Sequence, residues 1–254
     1  MSDEVIVERG GGVLTVMLNR PEVRNAINAA TARAVAAAVD ELDASQDLSV
    51  AVLTGSGGMF CAGMDLKAFL AGERPTVPGR GFAGLVERPP RKPIIAAVEG
   101  AAVAGGFEIA LACDLIVAAE NARFGLPEVQ RGLVAAGGGL LRLSRHVPYH
   151  LAVQWALTGD YVSAAEARAA GLVSRITAPG DALAQALELA RRIARNGPLA
   201  LAATKRVLAE CQDWTSAEAF ARQREITEPV RESADAREGA RAFVEKRAPQ
   251  WQGR

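Results

Sequence analysis

The chain reads as an α/β protein that ends in a helical region. Three observations predict this: strand-like runs alternate with helical patterns through the first half, glycine-rich turns join them, and helical periodicity dominates after Gly132. Residues 5–7 and 13–18 read as two short strands around Gly10-Gly11-Gly12, a hairpin signal. Between Ala29 and Ala44 the pattern turns helical, with Val35, Val39 and Leu42 at i, i+4 and i+7 and Asp40, Glu41 and Asp43 on the remaining surface. A β-rich run, Ser49–Thr54, then enters the turn-rich TGSGGMFCAGMDL. Residues 71–92 hold Pro75, Pro78, Pro89, Pro90 and several glycines, which marks an irregular or mobile segment. A strand over Ile94–Val98 follows. Gly105-Gly106 next open an apolar helical stretch, FEIALACD, ahead of a strand over Leu115–Ala118.

In the second half, a helix is predicted to start across Ala135–Leu143. Ser163-Ala-Ala-Glu166 has the spacing of a capping box, with Glu three residues after Ser. Asp181–Arg195 and Leu199–Gln212 are amphipathic, and a charged helix runs through SADAREGARAFVEKRAPQW to end near Pro249. No low-complexity linker divides the chain. The expected organisation is a catalytic core over 1–195 and a helical region over 196–254, a division of ordinary domain size.

Composition narrows the functional classes. The 254 residues carry 29 Lys+Arg and 29 Asp+Glu, a formal net charge of zero, without a basic stripe. Duplex binding normally shows such a basic excess, so nucleic acid is disfavoured, while a small polyanion held by a local cluster stays open. Cys61, Cys113 and Cys211 are far apart and form no CxxC pair, against a disulfide framework or a zinc ribbon; no metal site is expected. The opening MSDEVIVERGGG lacks the regions of a signal peptide, and no run is long enough to span a bilayer. The expectation is a cytoplasmic protein with reduced thiols and no membrane partner.

Several residues could carry chemistry. Glu108 lies three residues into the apolar helix, and a carboxylate in apolar surroundings has a raised pKa, which suits a general acid or base. The same position also suits an ordinary first-turn acid favoured by the helix dipole. Gly105-Gly106 would aim free backbone N–H groups forward and permit close approach, half of an oxyanion hole. In FCAGMDLK the Gly63 turn could present the Met64 N–H in the same way. Glu128 follows Pro127, a common helix start. His146 and His150 are separated by Pro148, against a metal pair, and Ser144 has no GxSxG elbow. Cys61 could be a nucleophile or a small buried thiol. TGSGG does not complete GxGxxG, because Phe60 occupies the last position, so a dinucleotide site is rejected.

Taken in order, these segments resemble the enoyl-CoA hydratase/isomerase (crotonase) family nearly end to end. LNRPEVRNAIN at 18–28 looks like its first CoA-contacting loop and FCAGMDLK like its first oxyanion segment. KPIIAAVEGAAVAGGFEIALACDLIVAAENARFGLPEVQRGL at 92–133 resembles its central signature; LTGDYVSAAEARAAGLV and EGARAFVEKRAP complete the set.

The resemblance implies a spiral of β-β-α units with C-terminal helices that build homotrimers, often paired into hexamers. It implies a CoA-thioester substrate and no separate cofactor, coenzyme A being part of the substrate. By matching position, Met64 and Gly105 supply the oxyanion N–H groups, and Glu108 and Glu128, 20 residues apart, are the two acids of the family's hydratases. Arg24, Ala26, Ala62, Asp65, Leu66 and Lys67 match the CoA- and substrate-binding loops, although Arg24 and Lys67 also suit solvated surface cations. The acyl tail is expected toward segment 71–92, with Phe69, Leu70, Phe82 and Leu85 as lining candidates.

Two departures stand out. Ala104 replaces a frequent glycine before the GG turn, and Ala135-Ala136 stand where many hydratases have Pro-Gly. Neither touches the two acids, and keeping both Glu108 and Glu128 makes the resemblance imply hydration of a 2-enoyl-CoA. Double-bond isomerisation is the nearest rival, and a catalytically weak acyl-CoA-binding protein is the rival from another class.

Overall fold

The computed structural model describes residues 4–254. Its first two strands, β1 (Val5–Gly10) and β2 (Val13–Leu18), pair antiparallel with Val5 opposite Leu18 and Gly10 opposite Val13. Gly11 and Gly12 connect them at φ 59° and 78°, the left-handed pair that a two-residue hairpin turn requires. Helix α1 then spans Ala29–Ala44, the range the periodicity predicts. Asn28 caps it by accepting a hydrogen bond from the Thr31 N–H at 2.8 Å, and its buried stripe includes Val35, Val39 and Leu42.

The order continues with β3 (Val50–Gly55), α2 (Leu66–Leu70), β4 (Thr76–Val77), β5 (Gly81–Phe82), β6 (Ile94–Val98), β7 (Ala101–Val103) and α3 (Gly105–Ala112). Next come β8 (Leu115–Ala119), β9 (Arg123–Gly125), a 3-10 turn over Pro127–Arg131, α4 (Gly139–His146), α5 (Tyr149–Thr158), β10 (Val162–Ser163), α6 (Ala164–Ala169) and β11 (Arg175–Thr177). The helices α7 (Ala182–Ala194), α8 (Pro198–Glu210), α9 (Ala219–Arg231) and α10 (Ala234–Glu245) close the chain.

Six strands form one sheet in the order β1-β2-β3-β6-β8-β11, parallel from β2 onward. A second sheet, β10-β9-β7, stands beside it, and β4 and β5 form a separate two-stranded ladder. The central strands are apolar on both faces because both are covered, as parallel sheets require. Along β3 and β6, Val50, Val52, Ile95 and Ala97 pack with Ala186 and Ala190 of α7. The alternate residues Ala51, Leu53, Ile94, Ala96 and Val98 face the main core with α1 and α3. Ala186 and Ala190 are spaced i, i+4 and fully buried, so α7 lies close to the sheet.

Lys92 joins two layers. Its ammonium donates to the carbonyls of Leu42 (2.8 Å), Leu48 (2.6 Å) and Ser45, satisfying acceptors in and beyond the last turn of α1. Its backbone carbonyl accepts from Lys205 Nζ of α8, which also pairs with Asp114 at 2.7 Å. Lys92→Met leaves those three carbonyls without their cation. The expected loss is about 2 kcal/mol in urea unfolding, with activity of the folded fraction unchanged.

The C-terminal segment is tied down rather than trailing. The Asp235 carboxylate accepts from the N–H groups of Gln252 (2.7 Å) and Gly253 (3.0 Å), while the Trp251 indole donates to the Arg195 carbonyl. The Trp251 ring lies over Gly197 and Gly239, within reach of α8 and α10.

Two local expectations differ from the structure. Helix α4 begins at Gly139, not near Ala135; Gly138 sits at φ 86°, which stops a helix from running back through it. Segment 71–92 is irregular but packed: β4 and β5 form a small ladder, and Leu85 and Val86 are buried. The capping box is present, with Ser163 and Glu166 exchanging side-chain-to-backbone hydrogen bonds.

Candidate active site

The site lies where two glycine turns meet. Segment 60–65 runs beside β7, the Cys61 N–H donating to Ala101 and the Val103 N–H donating to the Cys61 carbonyl, both at 3.1 Å. Gly106 rests directly on that carbonyl, with no room for a Cβ. Gly63, at φ 94°, comes so near the start of α3 that a Cβ there would lie 3.0 Å from the Gly105 nitrogen. Beyond it, the Gly63 carbonyl and the Asp65 N–H both bond to Ile27, at 2.8 and 2.9 Å. In a parallel bridge this turns the N–H of the intervening Met64 away from Ile27. Gly105 is the first residue of α3, where an N–H has no intrahelical acceptor. The structure therefore brings the Met64 and Gly105 turns together, and neither N–H has a protein acceptor among the described residues.

Ala104 carries the cost of this arrangement. It sits at φ 50°, ψ −130°, a conformation natural to glycine and strained for alanine. Ala104→Gly is expected to raise stability by about 1 kcal/mol, or roughly 2–4 °C in Tm for a chain of this size. Thermal unfolding of the two proteins measures it directly.

Glu108 projects from the first turn of α3 and is 4% exposed. Its Oε1 accepts from the N–H groups of Gly137 (2.7 Å) and Gly139 (3.0 Å), which belong to the turn preceding α4. Burial raises its pKa, and the two amides and the nearby Arg142 guanidinium pull it back. The acid is thus clamped by a distant segment, which goes beyond a first-turn dipole contact. Glu128 stands on the 3-10 turn after Pro127, and its Oε2 is buried without a hydrogen-bond partner among the described residues. Burial raises its pKa first, and the neighbouring Glu108 charge adds to the rise. Two carboxyls with raised pKa values, one of them raised further by the charge of the other, share one site, a common signature of acid/base chemistry.

The enoyl-CoA hydratase/isomerase family profile matches residues 8–254. This chain belongs to that family. A crystal structure of enoyl-CoA hydratase EchA1 from Mycobacterium marinum is 56% identical and superposes with a TM-score of 0.97 over 100% of both chains. Enoyl-CoA hydratase EchA19 of Mycobacterium tuberculosis is 44% identical over 99% of this chain and 97% of its own length. Carnitinyl-CoA dehydratase of Salmonella typhi is 42% identical over 100% of both. The α/β spiral with a helical C-terminal region expected from the sequence is the fold of these enoyl-CoA hydratase structures.

Other family-matched positions are distributed around the site. Arg24 is exposed at φ 55°, Lys67 is exposed at the start of α2, and Leu66 beside it is 57% exposed. Ala26 is buried and Ala62 half-buried, its N–H donating to the Arg24 carbonyl at 3.0 Å. The Asp65 carboxylate is already engaged: it caps α2 and pairs with Arg20 at 2.9 Å. Its backbone is engaged as well, the N–H donating to the Ile27 carbonyl and the carbonyl accepting from Phe69, both at 2.9 Å, so the residue holds the loop in place. Cys61 is a fully buried thiol pushed up to about 12 by burial, which removes the nucleophile reading. Of the lining candidates, Phe82 reaches the site itself, its ring lying against Gly105, while Leu70 is 84% exposed.

Sequence reasoning missed the amides of Gly137 and Gly139. The glycine run at 137–139 was their only trace, and nothing in spacing alone says that it clamps a residue 29 positions earlier. Among the described residues, no helix is long and apolar enough to cross a membrane.

Proposed function

We propose that the protein hydrates 2-enoyl-CoA thioesters to 3-hydroxyacyl-CoA, with Glu108 and Glu128 as the acid/base pair and coenzyme A entering only as part of the substrate. The observation that carries the reading is the buried, unpartnered Glu128 Oε2 beside an amide-clamped Glu108. An isomerase needs only one such acid.

In this reading the thioester oxygen lies between the Met64 and Gly105 N–H groups. Water held by ionised Glu108 adds to C3 and gives up a proton to that carboxylate. Electrons of the C2–C3 bond move into an enolate, whose charge the two amides stabilise by up to a few kcal/mol per donor. Protonated Glu128 then delivers its proton to C2, and proton exchange between the acids or with solvent restores the resting state. Burial raises the pKa of both acids; the two glycine amides pull Glu108 back, whereas the Glu108 charge adds to the rise at Glu128, and on that difference the reading gives Glu108 the base role and Glu128 the acid role.

Similarity to a carnitinyl-CoA dehydratase supports a second substrate for the same atoms run in the dehydrating direction. The purified protein should be mixed with 2-enoyl-CoA esters of short, medium and bulky chains, following loss of the conjugated thioester absorbance, and separately with carnitinyl-CoA and with a 3-enoyl-CoA. Hydration of any ester supports the reading. Turnover of carnitinyl-CoA alone moves it to the dehydratase, and conversion only of a 3-enoyl-CoA moves it to the isomerase.

A further inference from the structure

Arg142 of α4 sits at a junction that the proposed chemistry does not itself use. Its backbone N–H donates to the Gly138 carbonyl at 3.0 Å, and its guanidinium folds back over the same glycine, Nη1 occupying the space a Gly138 side chain would need. The other end, Nη2, donates to the Val86 carbonyl, 56 residues away. Gly138 is the middle of the turn whose flanking amides hold Glu108 Oε1. Val86 closes the turn that begins at Phe82, its N–H donating to the Phe82 carbonyl at 3.3 Å. Phe82 in turn covers Gly105. One side chain thus spans from the clamp on an acid to the wall against Gly105.

We propose that Arg142 is a positioning residue for the reaction: by strapping the Gly137–Gly139 turn to the Phe82–Val86 wall, it fixes the Glu108 carboxylate relative to the Gly105 N–H. The contacts of the Arg142 guanidinium are with the Val86 carbonyl and the Gly138 turn, which makes its role one of positioning. Its effect passes through Glu108, which faces Arg142 from α4, Glu128 from the 3-10 turn and the two glycine amides. Arg142 itself faces Cys113 at the end of α3, Glu108, and Arg145 and His146 on its own helix. A planar fork is needed, since one nitrogen reaches Val86 while the other stays on the turn; a lysine offers a single point of contact.

The inference rests on the hydratase reading, so the test has an arm that does not. Arg142→Met and Arg142→Lys are made in the full chain. Hydrogen exchange of the peptide spanning 133–143 is followed by mass spectrometry, and hydration kinetics are measured across pH. Arg142→Met should exchange the Gly137 and Gly139 amides at least about tenfold faster, by releasing the turn. Its kcat should fall about tenfold to a hundredfold with KM within about threefold, the pattern of a displaced catalytic group. The acidic limb of its kcat profile should move to higher pH, because Glu108 loses the cation that favours its ionised form. Arg142→Lys should recover the limb while leaving kcat reduced and exchange partly raised.

Wild-type exchange rates and an unmoved pH limb in Arg142→Met overturn the inference. If Arg142→Met does not fold, Arg142→Lys decides it alone: wild-type kcat and exchange overturn the strap, reduced kcat with faster exchange supports it. Should wild type hydrate no ester, the hydratase reading fails on that result, and the exchange arm still judges the strap.

Discussion

Glu108→Gln and Glu128→Gln should each lower hydration of the preferred 2-enoyl-CoA by about 10²–10⁴-fold, the usual contribution of a positioned acid or base. KM should change little, because neither carboxamide alters the turns at Gly63 and Gly105. The pH dependence follows from the two protonation states. Activity falls at low pH as Glu108 gains a proton and at high pH as Glu128 loses one, and the two limbs belong to the coupled pair rather than to either residue. Stability should move the opposite way for Glu128→Gln. A carboxyl whose native pKa is raised binds more protons folded than unfolded, so its burden is absent below the ordinary range near 4.3 and grows as pH rises through the native value. The carboxamide removes that burden. Its Tm should exceed that of wild type at pH 8 by a few degrees and match it near pH 4. Equal activity in the two variants and wild type would sink the acid/base assignment.

The second large effect belongs to Gly106→Ala. The added methyl would collide with the backbone carbonyl of Cys61, and neither partner is a flexible side chain that could step aside. Either α3 moves off segment 60–64 or the hydrogen bonds tying that segment to β7 stretch. Both displace the Gly105 N–H relative to the Met64 N–H. Overpacking of this kind costs roughly 1–3 kcal/mol of stability. Loss of alignment with one developing oxyanion costs a further ~10²–10³ in kcat. The measurement is kcat on the fully folded fraction, with urea unfolding in parallel. A variant that folds and retains wild-type kcat would mean that the two turns do not act together. Cys61→Ser, which changes the neighbouring side chain and keeps the carbonyl, serves as the control.

The sequence was most legible where one local rule decided the outcome. Helix α1 and strand β6 are bounded as their patterns predict, and the Ser163–Glu166 box forms. Legibility failed where a residue's partner lies far along the chain. The Lys92 ammonium satisfies carbonyls at 42–48, and the clamp on Glu108 comes from 137–139; neither leaves a periodic trace. Short strands such as β4, β5 and β10 are two residues each and have no pattern to read. At the site, Glu108 was ambiguous from the residues alone, because a first-turn acid has two explanations. The structure shows the carboxylate bonded to amides outside its own helix. Asp65 is the reverse case: the sequence singles out its loop for ligand contacts, while its side chain is spent on capping α2 and binding Arg20.

The docked tail makes the protein report on itself. Of the three tryptophans, Trp251 alone lies beyond α10, with its ring between the turn after α7 and the surface of α10. Its emission therefore tracks whether the last residues are seated, while Trp155, on α5, tracks the body of the fold. Undocking of the tail during denaturation would red-shift one fluorophore before the other. With Trp214 replaced by Phe, a single denaturant titration would show whether the final helices melt with the sheet or ahead of it.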